Sequence, residues 1–228
     1  MDCEVCFIKR LIFALAAATM PLIAAPALAR AGDFDAAFYV LLKGHPIGYH
    51  IVNVEETAEG LVVDTRVELT VKFGPLQLYR YRHAAHEVWR DGALQRLSSR
   101  TNDNGRRMFL EIARADGVLM IDGNAYKGPA PAEARTSSYW NRSVVDCPIV
   151  INTQNGELID VDVQDLGPAP TPFVGKAEHY RVTGTLTLDV YYDGAKWNGA
   201  DFRIHGAELT YEPVKEAADR MRLVAEAD

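Results

Sequence analysis

Cysteine is scarce in this sequence: there are three in 228 residues, and two of them, Cys3 and Cys6, fall among the first six. Once a leading segment is removed only Cys147 is left, and a single thiol excludes a disulfide within the chain, so the core alone must hold the fold. Basic residues are also short, with Lys+Arg 24 against Asp+Glu 31 for a net charge of −7. That balance argues against a nucleic-acid partner and against a basic membrane-surface patch. No apolar run reaches the roughly twenty residues of a membrane-spanning helix; the longest is Leu11 to Ala25. The G-x-S-x-G elbow, the helical H-E-x-x-H pair and the glycine-bearing calcium loop are absent as well.

What stands at the start is the plan of an export signal. Lys9 and Arg10 form a basic flank, Leu11 to Ala25 an apolar stretch broken by Pro21, and Ala27-Leu28-Ala29 a small-residue cleavage pattern. Cleavage after Ala29 is expected, giving a mature chain from Arg30 in the periplasm. Lys9-Arg10 is not a twin-arginine pair, and no cysteine follows the cleavage pattern to take a lipid. The expected organisation is a signal peptide over 1–29 and one β-rich domain over 30–228. It has no membrane span after cleavage and runs as a monomer or weak oligomer.

Alternation of apolar and polar residues dominates the rest. In "VVDTRVELTVKF" Val63, Thr65, Val67, Leu69, Val71 and Phe73 share one phase, while Asp64, Arg66, Glu68 and Lys72 share the other. Such runs read as half-buried antiparallel strands. They are expected near 36–43, 47–57, 61–73, 76–90, 93–101, 107–115, 118–122, 144–152, 157–164, 178–192 and 201–212. Pairs such as Lys43-Gly44, Asp91-Gly92, Asn104-Gly105 and Asp116-Gly117 punctuate them and suit tight hairpins. The expectation is a single antiparallel meander of about eleven strands, curved into a half-barrel or barrel. In "FRIHGAELTY" the apolar phase slips by one residue near Gly206, which reads as a bulge. The stretch 213–228 carries a weak apolar stripe and reads as a short C-terminal helix.

Two stretches, 124–143 and 165–177, lack any period and are rich in proline and glycine. The first holds "TSSYWNR", where Ser137, Ser138, Tyr139, Trp140, Asn141 and Arg142 crowd together as the candidate ligand-binding rim or lid. Tyr139 and Trp140 are expected to pack across an open end of the core, with Thr136, Ser137 and Asn141 hydrogen-bonding local backbone.

The segments "YVLLKGHPIGYH", "RYRHAAHEVWRDGAL", "TNDNG", "TSSYWN", "NTQNGE" and "YYDGAKW" together resemble a family of bacterial exported proteins known only as a domain of unknown function. The resemblance covers essentially the whole mature chain and brings no activity, cofactor or catalytic residue with it. The general outline is similar to the curved antiparallel sheets of periplasmic lipoprotein carriers, a likeness of fold alone.

Chemistry-bearing residues are sparse. Ser137 and Ser138 sit in turn-like sequence, and Cys147 stands between Asp146 and Pro148 at the start of an apolar run. His83 and His86, three apart on a strand, point to opposite faces and cannot share a metal. Asp160 and Asp162 share one strand face without further oxygen ligands. No catalytic residue, metal or cofactor is therefore expected. The composition and pattern favour a non-enzymatic binding protein for an apolar or lipid-like small molecule. An envelope protein-interaction or structural module, and a hydrolase built around "TSSYWN", are the alternatives.

Overall fold

The computed structural model describes residues 35–171, 175–204 and 206–214 together with Asp219 and Leu223. The expected signal peptide, 1–29, lies outside the described residues. The strands are β1 (Ala36–Leu42), β2 (His45–Thr57), β3 (Gly60–Phe73), β4 (Leu76–Arg90), β5 (Ala93–Asp103), β6 (Arg106–Ala115), β7 (Val118–Gly123), β8 (Lys127–Ala130), β9 (Arg135–Thr136), β10 (Ile149–Ile151), β11 (Leu158–Asp160), β12 (Asp162–Thr171), β13 (Gly175–Thr183), β14 (Thr187–Asp193), β15 (Lys196–Ile204) and β16 (Ala207–Pro213), with a 3-10 helix over Arg142–Asp146.

Thirteen of these strands form one antiparallel sheet in the order β12-β13-β14-β15-β16-β1-β2-β3-β4-β5-β6-β7-β8. Each neighbouring pair is a hairpin except one: β1 and β16 are joined across the whole chain, from Phe38↔Pro213 to Leu42↔Leu209. Two-residue turns connect β1–β2, β4–β5, β5–β6 and β6–β7. In each, a non-glycine residue with positive φ (Lys43, Asp91, Asn104, Asp116) precedes a glycine with positive φ. Positive φ at both central residues matches the right-handed strand twist, which is why Asn-Gly and Asp-Gly serve there.

The sheet is rolled but not closed. Its inward faces meet in one core that joins Val63, Trp89, Leu110 and Ile121 of one wing to Val182, Leu188, Val190 and Tyr192 of the other. The ladder nevertheless ends at β12 and at β8. Between these edges sits a second, three-stranded sheet, β11-β10-β9, in which β9 and β10 run parallel. Backbone bonds from Ala125 N to Asn155 O and from Val161 N to Pro148 O tie it to its surroundings.

Several expectations are corrected here. The described residues form sixteen strands, not about eleven, and the single meander gives way to two sheets. Residues 178–192 are a hairpin, β13–β14, turning over 184–186; an odd-length loop preserves residue parity, so Tyr180 lies opposite Val190 and the alternation runs unbroken through a reversal. The opposite holds for 201–212, where the pairing of Ile204 with Ala207 flips parity, so the phase slip marks the β15–β16 hairpin and not a bulge. Residues 144–152 divide into the end of the 3-10 helix and β10. The proline-rich stretch 165–177 contains most of edge strand β12 and the start of β13. No C-terminal helix forms a complete element among the described residues: Pro213 still belongs to β16, and of the expected helix over 213–228 only Asp219 and Leu223 are described with helical backbone. Leu223 is buried with Val214, Ala37 and Ile51 in a small cluster separate from the main core.

Candidate functional site

"TSSYWNR" is threaded into the rolled sheet as a plug. Ser137 N donates to Ile151 O, Ser137 Oγ lies 3.1 Å from Thr153 Oγ1, and Thr153 N donates to Ser137 Oγ at 3.1 Å. Tyr139 takes φ 56, outside the range usual for a bulky residue, and its carbonyl accepts from Tyr192 Oη at 2.8 Å. That turn swings Trp140 inward, where it is 2% exposed with its ring perpendicular to Trp89 at 5.6 Å. Asn141 Oδ1 accepts from Ser143 N at 3.0 Å and caps the 3-10 helix. Arg142 Nε donates to Glu178 Oε2 at 2.9 Å, its Nη2 donates to Tyr180 Oη, and the guanidinium lies 5.1 Å from the Tyr180 ring centre.

Beneath the plug lies a carboxyl the sequence reading passed over. Glu87 is fully buried on β4. Its Oε1 accepts from Ser138 Oγ, and its Oε2 accepts from Trp89 Nε1 at 2.6 Å and Trp140 Nε1 at 3.4 Å. Burial pushes its pKa up, and the donors from Ser138, Trp89 and Trp140 oppose that shift only in part. Ser138 therefore donates to a carboxyl oxygen and also bonds Thr136 Oγ1 at 3.0 Å. Neither serine of the pair has a histidine among its hydrogen-bond partners, so neither is set up as a nucleophile. Trp140 and Asn141 also line a cleft of about 390 Å³ together with Leu61, Trp89, Arg90 and Glu56.

A second group occupies the inward face nearer the other end. His50 on β2 and His83 on β4 both lie opposite Val67 of β3 and so share one row across the sheet. Both are buried. His83 Nδ1 is 2.8 Å from Thr101 Oγ1, whereas neither ring nitrogen of His50 has a hydrogen-bond partner among the described residues. The His50 ring instead meets Phe38 at 6.4 Å, Trp197 at 5.1 Å and Tyr211 at 5.5 Å, all edge-on. Burial lowers its pKa to about 3, helped by His83, and lowers that of His83 to about 4, so both rings are neutral at pH 7. Thr65 Oγ1 and Asn198 Nδ2 are likewise buried without a partner among the described residues. Polar side chains on the apolar phase of an alternating strand are the signal that singles out His50, Thr65, His83 and Glu87 in the sequence.

The outward face of β2–β5 forms a shallow hollow of about 470 Å³ lined by Asn53, Asp64, Arg66, His86, Ser98 and Arg100. Asp64, His86 and Ser98 lie in register on successive strands, and His86 Nδ1 is 2.8 Å from Asp64 Oδ1. Ser98 Oγ, however, donates to Glu111 Oε1 at 3.0 Å, which Arg100 also holds at 2.7 Å, so the hydroxyl proton is directed away from the imidazole. His83 and His86 point to opposite faces as expected. Cys147 is buried, its thiol 3.3 Å from Glu133 O and 3.1 Å from Ile149 O. Among the described residues no three His, Cys, Asp or Glu side chains converge to hold a metal ion, and no helix is long and apolar enough to cross a membrane.

Comparison with known proteins agrees with this architecture. The fold is similar to the crystal structure of a β-barrel-like protein of domain of unknown function DUF1849 from Brucella abortus. The TM-score is 0.52 at 7% identity, over 79% of this chain and 95% of that one. Among curated proteins nothing matches. The family model described as domain of unknown function DUF6134 matches residues 38–214.

Proposed function

The chain belongs to the DUF6134 family, and we propose that this member is an exported periplasmic binding protein whose rolled sheet receives an apolar or lipid-like molecule with one polar end. The observation that carries the reading is His50. A neutral imidazole has one N–H donor and one bare nitrogen acceptor, and burying both unpaired costs about 1–3 kcal/mol each. Its surroundings, Phe38, Trp197 and Tyr211, offer aromatic contact and no hydrogen bond to it. A hydroxyl or carboxylic acid at the end of an apolar body supplies both missing partners, an O–H donor and an oxygen acceptor, and the aromatic wall takes the body. With its pKa lowered to about 3, His50 recognises such a group by hydrogen bonding and not by charge. The leader read at residues 1–29 supports export.

The test is organic-solvent extraction of the protein purified from its host's envelope fraction, followed by mass spectrometry. A stoichiometric amphiphile is expected with the wild type, reduced at least tenfold with His50→Phe, which keeps a ring and removes both polar atoms. An empty wild type, or equal loading of the variant, refutes the reading.

A further inference from the structure

The β3–β4 hairpin reaches past its neighbours. The last rung of β3 to β2 is Leu69 to Gly48, and the first of β4 to β5 is Tyr81 to Asp103, with Asn104 N bonded to Arg80 O just beyond. From there to the turn the arm is a two-stranded ribbon paired only with itself, and such a ribbon is marginal in water unless something covers it. Gly74, at φ 57, and Pro75 form the tip. Around it stand the three most exposed large apolar side chains among the described residues: Phe73 at 76%, Leu76 at 60% and Leu78 at 53%.

In a meander, alternate turns fall at the same end. The β1–β2, β3–β4 and β5–β6 turns therefore lie together and bring Lys43, Lys72, Arg106 and Arg107 to the arm's end of the sheet. All four are exposed, and none of their side chains has an ion-pair or hydrogen-bond partner among the described residues. The nearby carboxylate of Asp103 is engaged by Tyr79 Oη at 2.7 Å. A chain of net charge −7 thus gathers four cations around an apolar tip, against the one carboxylate of Asp103 that the β5–β6 ladder sets opposite Arg106. The acidic balance, taken alone, argues against a membrane-surface patch; the topology assembles one from residues scattered between 43 and 107.

We infer that this end of the sheet docks on an anionic lipid bilayer, the Phe73–Leu78 tip entering the headgroup region while Lys43, Lys72, Arg106 and Arg107 meet lipid phosphates. A wedge of large apolar side chains ringed by Lys and Arg is the chemistry that recognises such a surface. An apolar protein partner would have no use for four exposed cations, and a purely anionic one none for the exposed Phe and Leu side chains. The inference does not rest on the carrier reading: a protein with an empty interior can still dock.

The experiment is flotation of the full chain, as its host processes it, with vesicles of phosphatidylcholine alone or mixed with phosphatidylglycerol. Binding is expected to the mixed vesicles, weak on phosphatidylcholine alone, and to fall as salt screens the charges. Phe73→Asp/Leu76→Asp is expected to weaken binding more than tenfold, the scale of one large apolar side chain kept in water. Arg106→Glu/Arg107→Glu is expected to weaken it more than tenfold, since each cation near an anionic surface is worth roughly fivefold. Unchanged melting temperatures show that both variants fold, because every substituted side chain is exposed. The inference is overturned if the wild type does not float with the mixed vesicles, if it binds both vesicle types equally, or if either variant floats like the wild type. A protein that floats but yields no extractable amphiphile loses the carrier reading and keeps this one.

Discussion

Two neutral imidazoles inside a rolled sheet make stability sensitive to mild acid. In the unfolded chain a histidine titrates at 6.5, whereas burial holds His50 at about 3 and His83 at about 4. The unfolded state therefore binds more protons than the folded state below pH 6.5, so stability is complete above that value and drains away as pH falls toward the folded pKa values. Between pH 7 and pH 5 each ring loses ~2 kcal/mol by this linkage, at about 1.36 kcal/mol per pKa unit. Glu87 works in the opposite direction: its pKa is raised above 4.5, so the folded state keeps a proton that the unfolded state releases, and its contribution grows as pH falls. Comparing a variant with its parent at each pH cancels that term. His50→Phe fits because the site is already a ring cluster, with Trp197 5.1 Å from the imidazole. Urea unfolding followed by tryptophan fluorescence at pH 7 and pH 5 should show the wild type losing ~2 kcal/mol more than His50→Phe. Equal losses, or a His50 ring-proton resonance that titrates near 6.5 in the folded protein, would refute the reasoning.

Trp140→Ala removes a ring that is 2% exposed and stacked edge-on against Trp89, so it should cost about 3–5 kcal/mol and lower the melting temperature by several degrees. Ser138→Ala strips Glu87 Oε1 of its hydroxyl donor and should cost about 1–3 kcal/mol; in a Glu87→Leu background the same change should cost less, and equal costs in a double-mutant cycle would show the two groups uncoupled. Gly48→Ala places a Cβ 1.9 Å from the Glu68 carbonyl oxygen, so β2 must shift off β3, and thermal melting should show a loss of roughly 1–3 kcal/mol or more.

Where side-chain alternation and turn chemistry agree, strand and hairpin were legible from residues alone: β2 to β7 stand within a few positions of their expected limits, and Lys43-Gly44 and Asn104-Gly105 turn as their φ preferences demand. The C-terminal third was misread because alternation records which face a residue points to and is blind to chain direction. The three-residue turn at 184–186 leaves parity intact and hides a reversal, while the pairing of Ile204 with Ala207 inverts it and imitates a bulge. Pro168 and Pro170 gave β12 the appearance of a loop; an edge strand tolerates them because one side of its backbone has no ladder to supply. In the plug, the inward packing of Trp140 followed from its size and apolarity, and the capping bond of Asn141 from its side chain. The partner of Ser138 did not follow, since Glu87 lies 51 residues away and reads locally as one more charge beside an exposed histidine.

The one ladder of the thirteen-stranded sheet that is not a hairpin sets the order in which this molecule can be assembled. β1 to β8 form one chain of local pairings and β12 to β16 another, each able to grow turn by turn, yet the two wings share a backbone ladder only where the first strand lies against the last. If the chain is delivered from its N terminus, β1 must wait with one side unpaired until Leu209 and Pro213 arrive. The plug waits as well, because Trp140 leans on Trp89 in one wing while the carbonyl of Tyr139 is held by Tyr192 in the other. Joining segments so far apart in sequence carries the largest loop-closure cost of the ladders, so the β1–β16 seam is expected to form after the hairpins, and its loss would leave the wings without a shared ladder.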